Sequence, residues 1–498
     1  MKHASICTVS MLVTLYGALL AQDVIAVDPN LYHESLRPRF HFTAKSDYIN
    51  DPNGLVYVDG VYHLFFQTGP ISAKRWGHAT SQDMVRWTQL DDAILPKDGH
   101  PAFSGCAVVD RKNTSGLQTG DDPPIVAIFT SWGQGQSLAY SNDRGETWTR
   151  HHENPVLMLA KDSQRSFPLS ARDPMVIWDP AKDRWTMILY DNLNDKVLSN
   201  LARDRQGGFS FFTSANLIDW TRQSHLPGFY VCPDVMELPI EGTDKTEWVA
   251  MDWAQYVTGR FNGSKFTANS TPYPLDFGKN LSANQTWKNL PDGRIVQISW
   301  IRGGKYPKMP FDQQMSFPTS LTLRQIGDHR RLCKQPIDEI KTLYGKSASA
   351  ERLEMPQSVT HKLDVGSNSV DVEFEVQLGD RSELQLSLLG TPIAMSRNSI
   401  SVLKNTVYSD EPLSHLRILA DITSIEIFAN HGSKTITLAI LSANHSTAIE
   451  LTSVSGTSVV ENIRLHEVTS CWNRSSIAND DIDNSLVTPV ARERGVQD

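Results

Sequence analysis

The sequence predicts an all-β protein, a propeller-like part followed by a β-sandwich, and three observations carry that prediction. From about residue 40 to 335, short strand-like runs alternate with turn clusters and show little helical period. Within that part a Ser/Asp/Trp pattern recurs. Beyond about residue 345 the spacing of apolar residues changes to a strict alternation.

The first part reads as strands throughout, as in Ile125-Val126-Ala127-Ile128-Phe129-Thr130 and Trp185-Thr186-Met187-Ile188-Leu189-Tyr190. Met175-Val176-Ile177-Trp178 and Arg294-Ile295-Val296-Gln297-Ile298-Ser299-Trp300 are further examples. Ser81-Gln82-Asp83 leading to Trp87 resembles Ser141-Asn142-Asp143 leading to Trp148, and Ser214-Ala215-Asn216 leading to Trp220 repeats both. Asn284-Gln285-Thr286-Trp287 reads as a worn fourth copy. A repeat of roughly 60–70 residues holds about four strands, the content of one propeller blade.

Around Gln335-Pro336-Ile337-Asp338 the texture changes, with room for one or two helical turns. Then Val370-Asp371-Val372-Glu373-Phe374-Glu375-Val376, Glu383-Leu384-Gln385-Leu386-Ser387-Leu388 and Ser424-Ile425-Glu426-Ile427-Phe428 alternate apolar and polar residues. One buried and one wet face per strand is the pattern of a sandwich. The expected divisions are a signal peptide over 1–26, the propeller over 38–335, the sandwich over 345–470 and a disordered tail over 475–498. That tail is acidic and without aromatic residues.

At 498 residues the chain exceeds one ordinary domain, and 40% apolar residues supply real cores. The net charge of −9 and the lack of a basic run argue against a nucleic-acid partner. Lys2 and His3 precede an apolar stretch too short to anchor in a bilayer, with Val24-Ile25-Ala26 as a cleavage pattern. Secretion is expected, to the exterior or cell wall, with vacuolar delivery as the variant. Sequons at Asn113, Asn262, Asn269, Asn280, Asn284, Asn444 and Asn473 fit that route. Outside the leader stand Cys106, Cys232, Cys333 and Cys471; four thiols allow three pairings and their state stays open. No spacing of His and Cys suits a metal, and no cofactor motif appears.

Three short acidic signatures lie along the propeller-like part. Asn50-Asp51-Pro52-Asn53-Gly54 sets a carboxylate among turn formers between strand-like runs. Such a carboxylate, held at a strand end, suits a nucleophile; an ordinary hairpin turn is the plain alternative. Ser170-Ala171-Arg172-Asp173-Pro174 opens a strand, and Val231-Cys232-Pro233-Asp234 precedes another.

Together with His63-Leu64-Phe65-Phe66-Gln67, Trp76-Gly77-His78-Ala79, Phe103-Ser104-Gly105 and Met315-Ser316-Phe317-Pro318, these motifs resemble glycoside hydrolase family 32. That is the invertase, inulinase and levanase group, which acts on β-fructofuranosides such as sucrose and fructans. The resemblance covers about residues 38–470 and implies a five-bladed propeller joined to a sandwich. It implies that Asp51 is the nucleophile of a retaining mechanism and that Asp173 steadies the transition state. Asn50, Gln67, Trp76, Phe103, Ser104 and Arg172 would line the fructosyl subsite, with Arg172 lowering the pKa of a carboxylate nearby.

One departure is sharp. A retaining glycosidase needs a second carboxyl group about 5–5.5 Å from the nucleophile, and the family's glutamate falls on Val231. Valine carries no proton to give. In extended geometry Asp234 points to the opposite face, and Glu237 lies roughly 20 Å away. Two readings follow: a strongly impaired fructosidase, or a protein that binds sucrose or fructan without cleaving it. Tyr48, Thr68-Gly69-Pro70 and Phe311 also depart from the family pattern and are expected to reshape the leaving-group side.

Overall fold

The structure, a computed structural model, describes residues 31–159, 171–192, 207–288, 290–441 and 447–472. The expected leader, the tail, Asn444 and Asn473 lie outside those residues.

Five antiparallel sheets form the propeller, and each begins with its innermost strand. Those strands are Asp47–Val58, Ala102–Val109, Ala171–Asp179, Asp234–Pro239 and Leu281–Trp287. The second strands of the first three blades, Val61–Thr68, Ile125–Ser131 and Arg184–Asp191, are almost wholly buried. Both faces of a blade's middle strands meet neighbouring blades, so continuous apolar text is what they need. The ring is latched by Phe311–Asp312, which pairs in parallel with Asp47 and Tyr48 of the first blade.

The Ser/Asp/Trp repeat is one turn built three times, between the third and fourth strands of the first three blades. Asp83 Oδ1 accepts from the amides of Val85 and Arg86, at 2.9 and 2.7 Å. Asn216 Oδ1 does the same with Ile218 and Asp219, and Asp143 Oδ1 accepts the amide of Thr147. The indoles of Trp87, Trp148 and Trp220 each donate to a carbonyl three residues back. The expected fourth copy is not one. Trp287 ends the innermost strand of the fifth blade and donates to His63 O at 3.0 Å.

After a short 3-10 helix, Asp338–Leu343, the chain enters two six-stranded sheets. Val370–Leu378 and Glu383–Leu388, one strand from each sheet, feed the same core, where Val372, Phe374, Leu384 and Leu386 are buried. One further core joins the two domains, with Phe40, Phe42 and Phe317 against Leu419, Phe428 and Trp472. At its centre His41 bonds Asp421 Oδ2 and Glu426 Oε1, both at 2.8 Å.

Candidate functional site

Propeller axes end in a mouth where strand ends from every blade converge, and a cavity of about 980 Å³ opens there. The innermost strands break their ladders at the residues that face it. In the first blade the register slips between Ile49 and Pro52, around Asn50 and Asp51. It slips again between Ala102 and Gly105, around Phe103 and Ser104. In the third blade the shift falls between Ile188 and Tyr190 on the partner strand, opposite Asp173. Asp173 takes φ +61° and Cys232 φ +57°, left-handed backbone that a bulge or tight turn demands. Asn50-Asp51-Pro52-Asn53-Gly54 is therefore not a hairpin turn but a doubly bulged stretch inside a strand.

Asp51 sits in a closed ring of hydrogen bonds. Asn50 Nδ2 donates to Asp51 Oδ1 at 3.1 Å and to Gln67 Oε1 at 3.0 Å. Gln67 Nε2 donates to Ser104 Oγ, which donates to Asp51 Oδ2 at 2.5 Å. The ring fixes both carboxylate oxygens. Lys74, absent from the sequence expectation, donates from Nζ to Asn50 Oδ1 at 2.5 Å. Burial pushes its pKa down to about 8, although Asp51 pulls the other way.

Asp173 lies on the opposite wall, 7% exposed. Its amide donates to Thr130 Oγ1 at 3.0 Å, and its Oδ2 accepts from the Cys232 amide at 3.2 Å. Burial raises its pKa to about 6; Arg172, at 3.7 Å, opposes the shift and Asp51 adds to it. The expected lowering by Arg172 is present but loses to desolvation. The Arg172 guanidinium also donates to Tyr230 Oη at 3.1 Å.

Val231 faces the cavity, and the backbone on both sides of it is pinned. Asp252 Oδ2 holds the Tyr230 amide at 3.0 Å, and Val231 O accepts from Trp253 N at 3.2 Å. Neither carboxylate near it in sequence lines the cavity. Asp234 is fully buried and bonded to Lys288 and Thr286. Glu237 is exposed and bonded to Thr246. Among the described residues the carboxylates of the lining are Asp47, Asp51 and Asp173, and Asp47 stands at the rim with Arg75 3.4 Å away.

Two expected lining residues stand elsewhere. Trp76 is completely buried and donates to Phe103 O at 2.8 Å, so it supports the wall from behind. Phe311 is buried under the Arg37 guanidinium, 3.8 Å from its ring centre, outside the cavity lining. Tyr48, Gly69 and Pro70 do line it, whereas Thr68 is buried. Tyr230, Trp253, Trp300 and Arg302 complete the mouth and carried no signal in the sequence beyond their residue type.

Residues 41–336 match the glycosyl hydrolases family 32 N-terminal domain and residues 339–467 the family's C-terminal domain. The chain belongs to glycosyl hydrolase family 32. Among this family 32 chain's relatives is a levanase of Bacillus subtilis, 31% identical over 95% of this chain and 76% of the levanase. An extracellular exo-inulinase of Aspergillus niger is 27% identical over 89% of this chain and 96% of its own. The crystal structure of an exo-inulinase from Aspergillus awamori superposes with TM-score 0.75 at 25% identity, covering 89% of this chain and all of that one. A β-fructofuranosidase of Schwanniomyces occidentalis complexed with fructosyl-erythritol has the same fold, with TM-score 0.75 at 23% identity over 90% of this chain and 99% of its own.

The family 32 chain's four described cysteines are all free and buried, so no disulfide forms among them. One sequon is also corrected. Asn284 is completely buried and donates to Asp252 O and Trp253 O, which leaves a glycan no room. The Asn280 amide is bonded to Arg302 O and to the Ala439 amide. Asn113, Asn262 and Asn269 are exposed.

Proposed function

We propose that this chain is a secreted family 32 protein that seats the fructosyl unit of sucrose or a fructan between Asp51 and Asp173, and that Val231 cripples its hydrolysis. The single observation that carries the reading is the combination at one cavity: the hydrogen-bonded Asp51 ring intact, and an aliphatic side chain at position 231. In this reading Asp51 attacks the anomeric carbon. Asp173 and Arg172 hold sugar hydroxyls and the developing positive charge. No lining carboxyl group stands at position 231 to protonate the departing sugar oxygen or to activate water afterwards.

General acid–base help contributes about 10²–10⁴-fold. A sugar alkoxide leaves poorly without a proton, so the upper part of that range applies to sucrose. The test is Val231→Glu, assayed on sucrose and inulin beside the parent chain. Because the flanking backbone is already pinned, the new carboxyl group should enter the cavity and raise kcat/KM by several hundred-fold or more. No gain would mean that the defect lies beyond position 231, and this reading would fall.

A further inference from the structure

The charge of the cavity runs against the charge of the molecule. The whole chain carries −9, yet Lys74, Arg75, Arg172 and Arg302 line the mouth against Asp47, Asp51 and Asp173. Arg75 bonds Asp92 at 2.5 Å besides reaching Asp47, and Arg172 faces Asp173. Among the described residues Lys74 and Arg302 have no carboxylate within ion-pair distance. Lys74 bonds a neutral amide oxygen and lies 5.0 Å from the Tyr48 ring centre. The Arg302 main chain is fixed by both sides of Asn280, and its guanidinium lies 4.8 Å from the Trp253 ring centre.

Once Asp51 is esterified by a fructosyl group, its charge is gone. Among the described residues of the lining, four cations then stand with Asp47 and Asp173, Arg75 also keeping Asp92 behind it, and position 231 adds no negative charge. A water molecule attacking that ester must lose a proton, and Val231 cannot take it. A small oxyanion needs no base, and nothing at position 231 repels it.

We propose that the cavity binds a small oxyanion, with inorganic phosphate as the type, and that this anion rather than water removes the fructosyl group from Asp51. The proposal rests on the reading of Asp51 as nucleophile. Hydrogenphosphate places an oxygen lone pair on the anomeric carbon, and the bond from that carbon to Asp51 Oδ breaks. Its electron pair returns to the Asp51 carboxylate, and a fructosyl phosphate monoanion leaves. Charge balances without any proton transfer. In the reverse direction the same site takes a fructosyl donor whose leaving group is already a stable anion.

Fructosyl fluoride loads Asp51 without an acid, and fluoride release is read against inorganic phosphate, against acetate, and against chloride at equal ionic strength. Phosphate is expected to speed steady-state release at least tenfold, saturably, with a new sugar-phosphate signal in the phosphorus NMR spectrum. Equal speeding by acetate would widen the ligand class to carboxylates. Arg302→Met should cut the phosphate effect at least fivefold, and Val231→Glu should abolish it while hydrolysis rises. A fluoride burst with no phosphate dependence, or an effect matched by chloride, overturns the proposal and leaves Asp51 as nucleophile. No burst at all removes both.

Discussion

Asp173 shows how one residue trades stability for a site. Its carboxyl group is buried, and that burial raises its pKa to about 6 against the pull of Arg172. A carboxyl group with a folded pKa above its unfolded value binds an extra proton in the native state between roughly pH 4 and 6. Native stability from this group therefore falls as pH rises through that window and stays low above it. Asp173→Asn removes the buried charge, so the variant should be more stable than the parent at pH 7.5, by on the order of 1–3 kcal/mol. At pH 4, where Asp173 is already protonated, the two should melt together. Calorimetric titration with fructose should show affinity lost in the same variant. A stability difference of equal size at both pH values would refute the assignment of the cost to this charge.

At the scale of elements, the signals that proved legible were those that depend on a repeated local geometry. Alternation in Val370–Leu378 and the apolar run Ile125–Ser131 became strands because each residue's burial follows directly from its side chain's direction. The Asp/Asn and Trp repeat was visible because the same amide-accepting turn is built three times. Asn284-Gln285-Thr286-Trp287 deceived because composition alone does not say whether a Trp closes a turn or fills a core. The five residues around Asp51 deceived in the other direction, since bulges use the same permissive residues as turns. Placement of Lys74 beside Asn50 was not legible at all. It depends on the loop 69–74 folding back over the first blade, which no short-range pattern encodes.

The bulge around Asp51 depends on a glycine for a stated reason. Gly54 has φ +57°, and a Cβ there would meet Phe65 Cδ2 at 2.6 Å and Trp76 Cζ3 at 2.9 Å. Both rings are fully buried and cannot retreat. Gly54→Ala should cost about 2–4 kcal/mol, combining left-handed strain with overpacking. Because the same strand carries Asp51 three residues earlier, the variant should also lose fructosyl loading from fructosyl fluoride. A urea midpoint close to that of the parent, with loading intact, would show that the strand tolerates the methyl group.

For the whole molecule, the buried contact at the domain junction is expected to make the two domains melt as one. His41 is fully enclosed between the propeller and the sandwich, and burial alone would strip its proton. The hydrogen bonds and charges of Asp421 and Glu426 outweigh burial and raise its pKa to about 9. Asp421 also accepts the amides of Arg39 and Phe40, and Glu426 accepts that of Phe317, so the two carboxylates knit backbone across the junction. Tyr306, Cys471 and Lys334 stand close enough to feel these carboxylates. With a folded pKa above the unfolded value of about 6.5, the imidazolium contributes its full stabilisation below pH 6.5. That contribution drains away as pH climbs through about 9. His41→Leu leaves two buried carboxylates without their cation, so it should cost about 3–5 kcal/mol near pH 6. The deficit should shrink toward pH 10, where the parent has itself lost the proton. Scanning calorimetry at both pH values checks this: the parent should melt in one transition at pH 6, and the variant should melt lower, with the propeller and sandwich separating into two. A single transition in the variant, displaced equally at both pH values, would show that packing of Phe40, Phe42 and Trp472 holds the domains together without the buried charge.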